Sequence, residues 1–300
     1  MTDFLAALLV QGGHNTAVVM LGAAALGIAC GAIGVFTLLR RRALVSDAVA
    51  HATLPGVAGG FIAGAALGLP GRSLALLLAG AALAAVLAAA AIQWLTRRPR
   101  VTEDTATAAV LASTFGLGVA LLSVVQALRT GGQAGLDAYL LGATAGMLQA
   151  EAMVTAGLAA AIVLAVALAC KELAAVAFDP DFAAVSGLPV ARLDLLVTVL
   201  SLAAVVIGLR IVGLVLIVAL LVIPPAAARF WSDRIGTVVA VSAAFGGASA
   251  YVGAAFSAVL PQVPTGAAIV VAAACLFVAS FLFGTARGVL VRALGRRLPA

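Results

Sequence analysis

The sequence predicts an all-α fold, a polytopic bundle of about eight to ten transmembrane helices. Three observations predict it. Of 300 residues, 65% are hydrophobic and 9% are charged, against about 25% charged in a soluble domain, and mean hydropathy is +1.25. Apolar runs of roughly 20 residues, enough to cross a hydrocarbon core of ~30 Å as helices, recur along the chain. The basic residues gather at the ends of those runs. A soluble protein would carry a polar face on its helices, and these runs have none.

In order, the start Met1-Thr2-Asp3 carries an acid and no positive stretch, so a cleaved signal peptide is not expected. Residues 1–17 read as an extramembrane segment, with His14 in a solvated loop. Apolar segments follow at 18–39, 47–69, 73–96, 105–128, 152–171, 191–209, 211–230, 234–258 and 266–286. Two regions leave the count open: 206–230 could be one bent element, and 130–150 could hold a re-entrant helix. No polar linker divides the span, so 18–286 is one membrane domain, and 287–300 is a basic tail. Glycines at helical spacing, Gly27 and Gly31, Gly60, Gly64 and Gly68, Gly142 and Gly146, permit close approach of helix backbones in lipid.

Charge sets the orientation. With the loop after the first segment inside and sides alternating, only Arg72, Arg129 and Arg210 of the 17 Lys and Arg fall outside. Positive residues favour the cytoplasmic side, which places the chain in the cell membrane with its C-terminus cytoplasmic. The same placement at loop ends excludes a nucleic-acid surface as the reason for the net charge of +6.

Several chemistries are excluded. The one lysine, Lys171, lies in Ala-Cys-Lys-Glu, so there is no GxxxxGK[ST] phosphate loop. If ATP drives the protein, another polypeptide hydrolyses it. Cys30, Cys170 and Cys275 are scattered in apolar runs with no CxxC pair and read as small buried hydrophobes. Two histidines, His14 and His51, cannot build a His-rich site.

His51 stands in Ser46-Asp47-Ala-Val-Ala-His51-Ala-Thr-Leu-Pro55-Gly56, at the start of the second apolar segment. Asp47 and His51, four apart, share one face of a helix. A carboxylate with an imidazole one turn on suits a divalent transition metal, and ionisable groups in a span are costly enough to suggest a function. The alternative is that Ser46 or Asp47 caps a helix beginning there, with His51 as its neighbour.

The second informative stretch is Phe178-Asp179-Pro180-Asp181-Phe182-Ala-Ala-Val-Ser-Gly187-Leu-Pro189. Asp179 suits an N-cap, Pro180 the first helical position, and Gly187 with Pro189 the stop. The spacing predicts a cytoplasmic helix of about two turns, either a connector or a handle for a cytoplasmic motor.

These residues, taken with others in order, resemble metal-ion permease subunits of ABC importers for zinc, manganese and iron. The arginines Arg40–Arg42 precede an Asp47-Ala-x-x-His51-Ala-x-x-Pro55-Gly56 run, with Ser46 where the family usually has glycine. Thr102-Glu-Asp-Thr-Ala, Asp137-Ala-Tyr-Leu-Leu-Gly142 and Asp179-Pro-Asp-Phe-Ala follow. Then come Val212-Gly-Leu-Val-Leu, Ile223-Pro-Pro-Ala-Ala-Ala-Arg229 and Pro261-Gln-Val-Pro-Thr-Gly266-Ala.

The resemblance covers about residues 20–286. It implies a type II importer permease, distantly similar to cobalamin and siderophore permeases, that works as a homodimer. Two cytoplasmic ABC ATPase subunits would drive it, and an extracytoplasmic solute-binding protein would deliver the metal. Asp47 and His51 match the family's metal-contacting pair. Asp179, Pro180, Asp181, Phe182 and Gly187 match its coupling helix, at about 179–187. No permanently bound cofactor is implied; the manganese, zinc or iron ion is the substrate.

Other readings are an ion-coupled secondary transporter with Asp47 as proton relay, a siderophore-type ABC permease, and an intramembrane enzyme. A coupled carrier usually places several ionisable groups in mid-membrane, whereas Asp137, Glu151 and the remaining acids stand near the predicted span ends. An enzyme would need Ser46 and His51 on one face, but they are five apart.

Overall fold

The computed structural model describes residues 13–40, 43–67, 74–127, 147–260 and 263–291. Eleven helices lie among them: α1 (His14–Leu39), α2 (Ala43–Ala66), α3 (Leu74–Thr96), α4 (Glu103–Ala127) and α5 (Gln149–Leu168) come first. The short α6 (Cys170–Phe178) and α7 (Pro180–Val185) precede α8 (Val190–Val212), α9 (Leu214–Ala228), α10 (Ile235–Val259) and α11 (Thr265–Phe283). Eight of them, α1 to α5, α8, α10 and α11, are long and apolar enough to cross a membrane. The chain is a multi-pass membrane protein.

The helices form two packing groups. α1 is the centre of the first, buried at Met20, Leu26, Cys30, Ile33 and Phe36 with Leu21 left exposed, and packs on α5, α9 and α10, with α11 behind. Gly27 and Gly31 meet Gly246 and Ser242 of α10, and a Cβ on Gly27 or Gly246 would strike the other's carbonyl. The Ser242 hydroxyl donates to the Gly31 carbonyl at 2.6 Å. The second group is α2 with α3 and α4, closed by Gly56 against Gly80. α1 and α2, consecutive in sequence, barely touch; α8 stands between the groups and packs against both. Leu164, Leu168, Val271 and Val278 face outward, as lipid-facing positions should.

One open reading is resolved and three expectations are revised. The region 206–230 is two helices, because Gly213 at φ +80 takes a conformation open to glycine. α9 then returns to the end of the bundle where α1 finishes, Ala228 packing with Val35. At 15 residues it rises about 22 Å, short of a full crossing. His14 opens α1 instead of lying in a loop, though its side chain is exposed. Past a break at Ala169 the chain continues into α6, which buries Leu173 and Val176, a helix the apolar pattern did not separate. Cys275 is exposed, unlike Cys30. The re-entrant expectation for 130–150, most of the 1–17 segment and most of the basic tail lie outside the described residues.

Candidate functional site

α2 starts at Ala43, so Asp47 lies past its first turn and Ser46 is buried within the helix. Neither caps it, and the capping alternative is removed. Around them Ala48, Val49, Ala50, Ala52, Thr53 and Leu54 are buried, because this helix is packed by α3 and α4 on one side and α8 on another. Asp47 and His51 fall on the remaining face, 34% and 27% exposed.

The Asp47 carboxylate oxygen Oδ1 stands 3.5 Å from His51 Nε2. That is an ion-pair distance, longer than a good hydrogen bond, so the two groups are neighbours without being locked together. The imidazole is held from α4 by Phe115, edge to face at 5.3 Å between ring centres and 88° between planes. His51 Nδ1 is buried and has no hydrogen-bond partner. An imidazole kept in place by packing, with an oxygen donor beside it, can take a cation between the two side chains. No cluster of three or more His, Cys, Asp and Glu with metal-ligand geometry occurs among the described residues. The pair is therefore a two-donor site, suited to brief contact more than to tight retention.

Beyond His51, α2, α3 and α4 line an open apolar cleft of about 650 Å3, at Pro55, Gly59, Leu83, Leu87 and Leu117. Its hydroxyls, Ser113 and Thr114, donate to carbonyls of their own helix. The cleft offers an ion nothing comparable to Asp47 and His51.

The stretch 179–187 forms as its residues predict, with a helix of six residues, Pro180–Val185. The Phe182 amide donates to Asp179 Oδ1 at 2.9 Å, and Pro180 opens the helix. At the other end the amides of Leu188 and Gly187 donate to the carbonyls of Ala183 and Ala184, a Schellman stop that needs Gly187 at φ +85. Ala183 is buried, while Phe178, Phe182 and Val185 are 70%, 66% and 89% exposed. Phe182 and Val185 thus project from one short capped helix, with Phe178 beside them at the end of α6. The sequence singled out Phe182; Phe178 and Val185 join it, and only the caps on either side could have drawn attention to them.

Residues 14–284 match the ABC 3 transport family. The chain belongs to that family. It is 36% identical over 280 residues to the zinc transport system membrane protein TroC of Treponema pallidum, covering 93% of this chain and 92% of that protein. It is equally identical, over 284 residues, to the manganese transport system membrane protein MntC of Bacillus subtilis, of whose length it spans 63%. Among solved structures it is similar to PsaBC from Streptococcus pneumoniae in complex with Fab, with a TM-score of 0.80, 30% identity and 99% of each chain covered. Like its relatives in the family, the chain is a transport subunit with a permease fold. Asp47, His51 and α7 all lie within the matched residues.

Proposed function

We propose that the chain is the membrane permease of an ATP-driven importer of a divalent transition metal, manganese or zinc, with ferrous iron compatible with the same donors. The observation that carries this reading is the Asp47–His51 pair, an oxygen and a nitrogen donor 3.5 Å apart on the one open face of a packed apolar helix. The names of the relatives, for zinc and for manganese transport, support the two metals. Family membership favours a primary-active importer over the ion-coupled carrier and over the intramembrane enzyme.

In this reading two copies of the chain assemble around the path, and a cytoplasmic ABC ATPase seats on each α7. Asp179, Pro180 and Gly187 shape that helix, Asp181 adds charge to its first turn, and Phe182 enters the ATPase. A solute-binding protein delivers the ion at the opposite end. Arg40, Phe230, Asp233 and Arg287 lie at the α7 end of the bundle, which the charge distribution assigns to the cytoplasm together with the C-terminus.

The test is uptake by liposomes holding the chain, its ATPase and its binding protein. ATP-dependent accumulation of manganese or zinc is the expected result. ATP hydrolysis with neither metal accumulated would end the reading.

A further inference from the structure

Arg40 closes α1 and reaches both flanks of α7. Its Nη2 donates to Asp194 Oδ2 at 2.6 Å, in the first turns of α8, and its Nη1 donates to the Val176 carbonyl of α6 at 2.9 Å. Val176 stands three residues before Asp179, and Asp194 lies eight residues after Ser186. The guanidinium is 15% exposed and Asp194 22%, so this pair is better shielded than a surface salt bridge, which is usually worth little. One planar fork holds two separate partners, which a lysine cannot reproduce.

The surroundings explain why a pin is needed here. α8 lies between the α1 group and the α2 group and packs against both, with α9 adding a smaller contact to α2. Where α1, α2 and α8 converge, the packing is apolar but incomplete. A void of about 30 Å3 is lined by Val45, Val49, Val197, Leu202 and Ser201 among others, and the buried Ser201 hydroxyl has no partner. The glycine contacts of α1 with α10 leave no such slack. Arg40 stands seven positions before Asp47 in the sequence.

We propose that Arg40 is the positioning residue that carries movement of α7 and α8 to the Asp47–His51 helix, so that ATP hydrolysis and ion release stay in step. The inference rests on the reading that α7 docks the ATPase. Displacement of α7 pulls on Val176 and Asp194 together. Arg40, three positions before the start of α2 in sequence, converts that pull into a shift of the end of α1, against an interface with room to move. Without the fork, movement of α7 reaches α2 only through the packing of α8.

The experiment uses the whole reconstituted importer and reads three quantities: co-purification of the ATPase, the apparent KM for manganese, and ions accumulated per ATP hydrolysed. Arg40→Gln should keep the ATPase bound and the KM unchanged while ions per ATP fall about tenfold. Arg40→Lys, able to hold Asp194 alone, should fall between. A ratio equal to wild type in an assembled Arg40→Gln complex overturns the proposal. If Arg40→Gln does not assemble, Asp194→Asn decides: an assembled complex with a lowered ratio supports the pin. An unchanged ratio, or a second failure to assemble, makes the contact a matter of folding only and overturns it. The docking reading has its own arm, since Phe182→Asp that still binds the ATPase defeats that reading whatever Arg40 does.

Discussion

Gly27 of α1 and Gly246 of α10 lie backbone to backbone, each where the other's Cβ would be. Four residues along α1, the Ser242 hydroxyl bonds the Gly31 carbonyl. In lipid the attraction between helices comes from such close packing more than from apolar burial, so this seam should hold the centre of the bundle.

Gly246→Leu should therefore destabilise the protein by about 1–3 kcal/mol, the range for overpacking a tight core. Ser242→Ala should cost only about 0.6 kcal/mol, the average for an interhelical hydrogen bond in a membrane. Unfolding by denaturant in mild detergent measures both. Equal effects, or a silent Gly246→Leu, would show that the seam is not close-packed in the membrane.

The orientation makes a separate prediction. On a cysteine-free background, cysteines placed at Arg98 and at Leu290 should resist an impermeant thiol reagent in intact cells and react after lysis. Strong labelling of either from outside would invert the topology and put α7 on the wrong side for an ATPase.

Phe182→Asp adds a charge to a side chain already 66% exposed, so the folding of the bundle should not change. Normal membrane insertion, loss of ATPase co-purification and loss of uptake are expected together. A mutant whose insertion fails would mean that α7 is packed in a way its exposure does not suggest.

Much of this was legible in the sequence because each signal was local. Apolar runs set the long helices, and Asp179, Pro180 and Gly187 bracket a short one through hydrogen bonds made within a few residues. Asp47 and His51 could be paired from a spacing of four. The turn at Gly213 was ambiguous because the apolar run continues through it and one glycine does not say which φ it takes. Phe115 beside His51, and Asp194 beside Arg40, could not be read at all, since nothing in either stretch signals a contact made across more than fifty residues. The capping alternative for Asp47 fell for a related reason. The helix already includes Ala43, Leu44 and Val45, and nothing in those residue types announces it ahead of Ser46 and Asp47.

The central claim is that Asp47 and His51 touch the passing ion. Outer-shell partners alone are worth about 10–100-fold in metal affinity, so loss of a direct donor should lower uptake at least about tenfold. Asp47→Asn removes the charge with little change of volume, and His51→Leu removes the imidazole nitrogens. The measurement is ATP-dependent uptake of manganese and zinc by reconstituted complexes at matched protein and ATPase levels. The predicted result is a severe loss in both variants with the ATPase still bound. Uptake at the wild-type rate in Asp47→Asn would contradict it and take the carboxylate out of the path.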